Sequence, residues 1–99
     1  MEVFHFTYKK LMKIGTILRV ECMTYLERVL NENGGRIALH PEESKVSVVK
    51  NGVLCTIMAV FMKEGEIYVE LEDKSELGVD CLTTEELYDM ADSVSSILS

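Results

Sequence analysis

Three cysteines are the most reactive side chains that the sequence offers. Cys22, Cys55 and Cys81 are an odd number of thiols, and no CxxC pair occurs among them. This spacing indicates neither a disulfide framework nor a thiolate metal site, so we expect reduced thiols in buried segments. A nucleophilic cysteine needs a neighbouring base and a partly exposed, electropositive setting. Only Cys81, in a predicted loop among acidic residues, is expected to be exposed.

The histidines and the carboxylates do not indicate a metal site or a catalytic site. His5 and His40 have no second His or Cys at the spacing of zinc ligands. Glu70 and Glu72 are expected about 7 Å apart on one face of a strand, which acid–base catalysis could use, but no predicted cleft surrounds them. We therefore predict no catalytic residue, no metal ligand and no cofactor.

Charge is divided unevenly along the chain. Residues 1–50 hold eight Lys or Arg against six Asp or Glu, whereas residues 51–99 hold two against eleven. A protein that binds nucleic acid needs a basic surface to release counterions from phosphates, and this acidic chain lacks one. No apolar run is long and uncharged enough for a signal sequence or a membrane span. We expect a cytoplasmic protein that binds neither nucleic acid nor membranes.

Hydrophobic periodicity and turn residues predict the element order α-β-β-β-β-α within a single domain, residues 1–99. Apolar residues at intervals of three and four predict a first helix that ends at Asn33–Gly35, and a period of two then predicts strands. The predicted bounds are about 8–32 for the first helix, 36–40, 45–50, 53–62 and 66–72 for the strands, and 84–98 for the last helix. A short edge strand is also expected at 79–81. The fold class is α+β, a four-stranded antiparallel meander with an amphipathic helix at each end, in two layers.

The last helix has the clearest start signal. Thr83 and Glu86 have the spacing of a capping box, in which each side chain accepts a hydrogen bond from the other residue's backbone N–H. Leu82 and Leu87 flank it as a hydrophobic staple. We therefore predict that the helix begins at residue 84.

The turn Asn51–Gly52 sets the register of the first hairpin, because both residues can take the positive φ of a type I′ turn. A two-residue loop places Val48 opposite Cys55 and Val46 opposite Ile57. These four side chains define the core face of the predicted sheet.

The loop between the third and fourth strands decides which of their side chains join that core face. A two-residue loop, Glu64–Gly65, pairs Met62 with Ile67, whereas a three-residue loop, 63–65, pairs Phe61 with Ile67. We favour the longer loop, because it places every alternating apolar residue of three strands on one face. It leaves six apolar side chains on the opposite, reverse face: Val49, Leu54, Met58, Val60, Met62 and Tyr68.

An apolar reverse face must be covered. Either one helix lies on each face, or both helices share the core face and the reverse face meets a partner. We favour the second arrangement, because helices on short connections return most easily to the same side. The expected function is a small non-enzymatic protein-interaction module, an adaptor or regulatory subunit, that acts through this face or through the acidic C-terminal half.

The expected partner is a protein, most simply a second copy in a homodimer. One alternative is an inhibitor whose contiguous acidic surface imitates nucleic acid. The other is a small enzyme that uses Cys81 or the strand carboxylates Glu70 and Glu72.

Overall fold

The structure is a computed structural model that describes residues 15–43 and 45–99. The expected start of the first helix near residue 8 and the side chain of His5 lie outside the described residues. The elements are α1 (Gly15–Glu32), β1 (Arg36–Ala38), β2 (Ser47–Lys50), β3 (Val53–Lys63), β4 (Glu66–Leu71), β5 (Glu76–Gly78), a 3₁₀ turn (Val79–Cys81) and α2 (Thr84–Leu98). The α+β class is confirmed: an antiparallel sheet is preceded by one helix and followed by another along the chain.

Helix α1 buries one stripe of side chains and ends where the glycines allow it. Leu18, Cys22 and Leu26 are buried at intervals of four residues. At the C-terminal end, the N–H groups of Asn33 and Gly35 both donate to the carbonyl of Leu30, at 3.1 and 2.7 Å. Gly34, which lies between them, has a φ of +77°, a left-handed conformation that a glycine takes without strain, so the helix ends at Glu32.

Helix α2 begins at the predicted capping box. The Thr83 N–H donates to Oε1 of Glu86 at 2.8 Å, and the Glu86 N–H donates to Oγ1 of Thr83 at 3.1 Å. Leu87, Met90 and Val94 then form its buried stripe.

The sheet differs in detail from a simple meander. Strands β1 and β2 do not pair with each other, because both pair with β3, β2 along residues 53–56 and β1 along residues 59–61. β4 pairs with the other side of β3 and β5 with β4. The expected edge strand at 79–81 is a 3₁₀ turn, and the edge strand β5 precedes it.

The register of the first hairpin is confirmed. Asn51 and Gly52 have φ values of +53° and +77°, and Val48 lies opposite Cys55. The Ile57 N–H donates to the carbonyl of Val46 at 2.9 Å, which extends the same register.

The favoured loop between β3 and β4 is wrong. Glu64 and Gly65 form a two-residue turn with φ values of +53° and +81°, and Met62 lies opposite Ile67. The longer loop is the expectation that keeps every alternating apolar residue on one face of a regular sheet, and a positive φ at a glutamate is uncommon. The sheet nevertheless keeps its core on one side, because a bulge in β3 corrects the register.

The bulge lies at Met58. Ile57 pairs with Leu71 and Ala59 pairs with the neighbouring Glu70, so Met58 is the extra residue on β3. An extra residue reverses the side to which every later side chain points. The core face of β3 therefore carries Cys55 and Ile57 before the bulge and Val60 and Met62 after it.

Both helices pack against this one face of the sheet. Buried side chains of α1 and α2 join a single hydrophobic cluster with Ile57, Val60, Val69 and Leu71. The result is a two-layer arrangement. No helix within the described residues is long and apolar enough to cross a membrane.

Candidate functional site

The six side chains expected on the reverse face of the sheet do not all lie there in the structure. Val60 is 0% exposed in the core cluster, and Met62 is partly buried against the same cluster. Their placement on the reverse face is wrong, because the bulge at Met58 turns them toward the helices. Tyr68 lies on the reverse face, stacked on Phe61 with ring centroids 5.7 Å apart.

Three of the six side chains remain exposed in the part of β2 and β3 that precedes the bulge or forms it. Val49 and Leu54 lie directly opposite each other and are 58% and 65% exposed. Met58, at the bulge, is 37% exposed. We call Val49, Leu54 and Met58 the reverse-face patch. Adjacent exposed aliphatic side chains of this kind are typical of a contact surface rather than of isolated surface residues.

Beyond the bulge, the reverse face is covered by paired charges over aromatic rings. The Arg36 guanidinium lies 5.6 Å from the Phe61 ring centre and pairs with Glu70 at 2.6 Å. Lys63 lies 5.0 Å from the Tyr68 ring centre and pairs with Glu76 at 3.0 Å. This part of the face offers no open apolar surface.

The outer edge of β2 is tied to helix α2. The Val49 N–H donates to Oε2 of Glu86 at 3.1 Å, while Oε1 of the same carboxylate completes the capping box. An edge strand with free N–H groups can pair with a strand of another chain. Glu86 occupies one such group, so a partner of the patch is expected to meet side chains rather than add a strand here.

The acidic residues of the C-terminal half are spread over different sides of the domain. Glu70 is on the reverse face with Arg36, and Oε1 of Glu72 accepts the Thr56 N–H at 3.4 Å. Asp89 is exposed on α2, which covers the opposite side of the sheet. The nucleic-acid imitation hypothesis needs one contiguous acidic surface, so this placement removes its main support.

One local concentration of negative charge does occur on α2. Partial burial, together with repulsion from Glu85 and Asp92, raises the pKa of Asp89 above its ordinary value. The three carboxylates lie on the side of the helix away from the sheet.

The thiols are placed as expected. All three are free, Cys22 and Cys55 are buried, and Cys81 is exposed. Burial raises the pKa of the Cys22 thiol to about 11, so it is not a nucleophile at neutral pH. His40 is exposed, and within residues 15–43 and 45–99 no three His, Cys, Asp or Glu side chains converge to hold a metal ion.

Cys81 borders a cleft that the sequence did not predict. The cleft has a volume of about 360 Å³ and lies between α1, the β3–β4 turn, β4 and the 3₁₀ turn. Its buried or half-buried lining includes Met23, Ile67 and Val79, and its exposed lining includes Glu27, Glu66 and Asp80. These residues come from three separated segments, so no local sequence pattern marks the cleft.

Arg19 holds the wall of this cleft in place. Its Nη2 donates to the carbonyl of Val79 at 3.4 Å, and its Nη1 donates to the carbonyl of Leu82 at 2.9 Å and to the hydroxyl of Thr84 at 3.3 Å. These bonds fasten the 3₁₀ turn and the start of α2 to α1.

The comparisons with known proteins give no match: no family model, no curated protein and no solved structure matches this chain. The reverse-face patch and the cleft are therefore assessed on their own geometry.

Proposed function

We propose that the protein is a small non-enzymatic interaction module that associates through the reverse-face patch, and that its partner there is a second copy of the chain. One observation carries the proposal: Val49 and Leu54 face each other and are both more than half exposed, whereas Cys55 and Ile57 beside them are buried. Covering such side chains removes apolar area from water, which favours association.

The charge around the patch supports self-association. Residues 47–63 contain two lysines and no Asp or Glu, although the chain as a whole carries a net charge of −7. In a two-fold contact, each patch meets a copy of itself, so acidic side chains would repel their own mates. The segment that carries the patch avoids this repulsion, and the acidic carboxylates of α2 lie on the opposite layer.

The size of the patch predicts a weak dimer. Three partly exposed aliphatic side chains supply a few hundred Å² of apolar surface, whereas a standard stable interface covers about 800 Å² on each partner. We therefore expect association that depends on protein concentration in the micromolar range or above, not a permanent dimer.

The test is the molar mass by light scattering after size exclusion, over a range of concentrations. Wild type should approach twice the chain mass as concentration rises, and Leu54→Lys should stay monomeric with an unchanged circular dichroism spectrum. Val20→Lys is the matched control, because Val20 is 58% exposed but lies on α1, in the other layer. A wild type that stays monomeric up to about 1 mM contradicts the proposal, as does a Val20→Lys variant that dissociates equally.

We also propose that the protein resides in the cytoplasm. Three free thiols, one of them exposed, suit a reducing compartment in which disulfides do not persist. Fractionation of native cells, followed by mass spectrometry with alkylation of free thiols, tests both the location and the thiol state.

A further inference from the structure

We propose that the cleft beside Cys81 binds an alkylammonium group, with the aliphatic stem on the apolar lining and the cation among Glu27, Glu66 and Asp80. The proposal is independent of the reverse-face patch, because none of Val49, Leu54 and Met58 lines the cleft. The volume of about 360 Å³ is within the range of small-ligand pockets.

Among residues 15–43 and 45–99, the three carboxylates at this cleft have no side-chain partner. Elsewhere Glu70 and Glu76 form ion pairs, and Glu86 accepts two backbone N–H groups. Within the described part of the chain, Glu27, Glu66 and Asp80 form neither an ion pair nor a side-chain hydrogen bond. None of the described residues that line the cleft is Lys, Arg or His. Two cations lie beside lining residues: Arg19, which donates to the Val79 carbonyl, and Lys63, which lies over the Tyr68 ring and is already paired with Glu76. Three carboxylates therefore outnumber the cations beside them.

The carboxylates of the described residues do not converge as metal ligands do, which favours an organic cation over a metal ion. A divalent cation needs several oxygen ligands at about 2.0–2.6 Å, which requires converging side chains. Among the described residues, no group of three acidic, His or Cys side chains converges in this way. Carboxylates distributed around a cleft instead surround a larger cation at several points.

The lining of the cleft accounts for the aliphatic stem. Met23 and Tyr68 are half-buried, so they present apolar surface in the cleft beside the buried Ile67 and Val79. A methionine side chain also adapts its shape to a ligand. A ligand with an apolar stem and a cationic end matches both parts of the cleft, whereas a strongly hydrated inorganic cation matches only one.

The exposed thiol of Cys81 provides a direct probe of the charge in the cleft. The thiolate displaces methanesulfinate from a methanethiosulfonate reagent and forms a mixed disulfide. We would compare the rates of the 2-ammonioethyl and 2-sulfonatoethyl reagents at Cys81, and divide their ratio by that for N-acetylcysteine amide. Peptide mapping assigns the reaction to Cys81, because Cys22 and Cys55 are buried.

The expected normalised ratio is about ten or more at low salt, falling as salt is added. A triple variant, Glu27→Gln with Glu66→Gln and Asp80→Asn, should bring the ratio close to one. The matched control makes the same change in net charge on α2, Glu85→Gln with Asp89→Asn and Asp92→Asn, and should keep most of the wild-type ratio. Any change in the thiolate fraction of Cys81 cancels in the ratio of the two charged reagents, and an unchanged circular dichroism spectrum for all three proteins confirms the fold.

Binding is tested by protection of Cys81 from a neutral methyl reagent of the same class. Butylammonium should slow the reaction with half protection at about 1–50 mM, since so small a ligand contributes few contacts, and butanol should not. N-acetyl-lysine-N-methylamide is then compared with its norleucine counterpart. Protection by the lysine compound identifies a lysine side chain as an occupant, and protection by butylammonium alone identifies a free amine.

Three results would overturn the proposal. The first is a normalised rate ratio near one for the wild type, and the second is an equal loss of that ratio in the two triple variants. The third is no protection by either butylammonium or the lysine compound at 100 mM, a concentration at which about two-thirds or more of a site of the stated affinity is occupied.

Discussion

The two halves of β3, on either side of Met58, turn opposite sets of side chains toward the helices. Before Met58 the odd-numbered Cys55 and Ile57 are buried in the core cluster, and the even-numbered Leu54 is exposed. After Met58 the even-numbered Val60 is buried there instead. An unbroken apolar run can therefore form one buried face that passes from odd-numbered to even-numbered residues, rather than a strand with two apolar faces. We call this switch the change of parity.

The change of parity reconciles two tight turns. Asn51–Gly52 sets one register with β2, and Glu64–Gly65 sets another with β4. The first register places odd-numbered residues of β3 on the core face, and the second places even-numbered residues there. A single extra residue makes the two registers compatible. The bulge is thus part of how the sequence builds the sheet.

The halves also differ on the reverse face. After the bulge, Phe61 is covered by Tyr68 and Arg36, whereas before it Val49 and Leu54 face solvent. The open surface is therefore confined to the end of the sheet where β2 and β3 extend past β4. This confinement makes the two halves separately testable by mutation.

The largest effect expected from this comparison comes from placing a charge at equivalent positions of the two halves. Val60→Asp buries an unpaired carboxylate in the core and should cost more than about 4 kcal/mol of unfolding free energy, whereas Leu54→Asp should change it by about 0.5 kcal/mol or less. Urea denaturation followed by circular dichroism measures both. Val60→Ala, expected to cost about 2 kcal/mol, is the milder version to use if Val60→Asp leaves no folded protein to titrate. Equal losses at the two positions would contradict the change of parity.

Single-residue deletions sharpen the same comparison. Deleting Met58 converts β3 to a regular strand that keeps Ile57 and Val60 on the core face, so we expect a cost of only about 1 kcal/mol. Deleting Thr56 also makes the strand regular, but it turns Ile57 to the reverse face and should cost about 2–3 kcal/mol more. The measurement is again the midpoint of urea denaturation, compared between variants at one common slope of unfolding free energy against urea concentration. A Met58 deletion that costs more than the Thr56 deletion would show that the bulge has a role other than parity.

The sequence predicts the local signals of this fold and misses what depends on several strands at once. The capping box and the hairpin at Asn51–Gly52 each require only neighbouring residues, and both are confirmed. The bulge at Met58 has no Gly or Pro to mark it, because its advantage comes from satisfying the β2 and β4 registers together. Glu64 takes a positive φ for the same reason.

The residues of the candidate sites divide in the same way, into those placed by local signals and those placed by several elements together. The placement of Val49 and Leu54 on the reverse face follows from the hairpin register, which is local, and the sequence predicts it. The burial of Val60 depends on the bulge, and the sequence does not predict it. The cleft beside Cys81 brings α1, a strand turn and the 3₁₀ turn together, so only the tertiary structure shows it.

A smaller effect concerns the attachment of β2, which pairs with the first half of β3, to α2 through Glu86. Glu86→Ala removes the acceptor of both the Thr83 N–H and the Val49 N–H, and should cost about 1–2 kcal/mol. Thr83→Ala, which breaks only the capping box, should cost about 1 kcal/mol. Amide hydrogen exchange separates the two contributions, because only Glu86→Ala should speed exchange at Val49. Unchanged exchange there would mean that the strand edge does not depend on the helix.

The smallest expected effect tests the charged cover on the second half. Arg36→Met keeps an aliphatic stem over Phe61 but removes the pair with Glu70, which is partly exposed, so the loss should be about 0.5 kcal/mol. Because exposed ion pairs are screened by salt, the difference from wild type should shrink between low salt and 1 M sodium chloride. Arg36→Ala removes the stem as well and should retain a loss at high salt, which reports the packing on the ring. If the two variants are equally stable at 1 M salt, the stem contributes nothing and the cover of Phe61 is purely electrostatic.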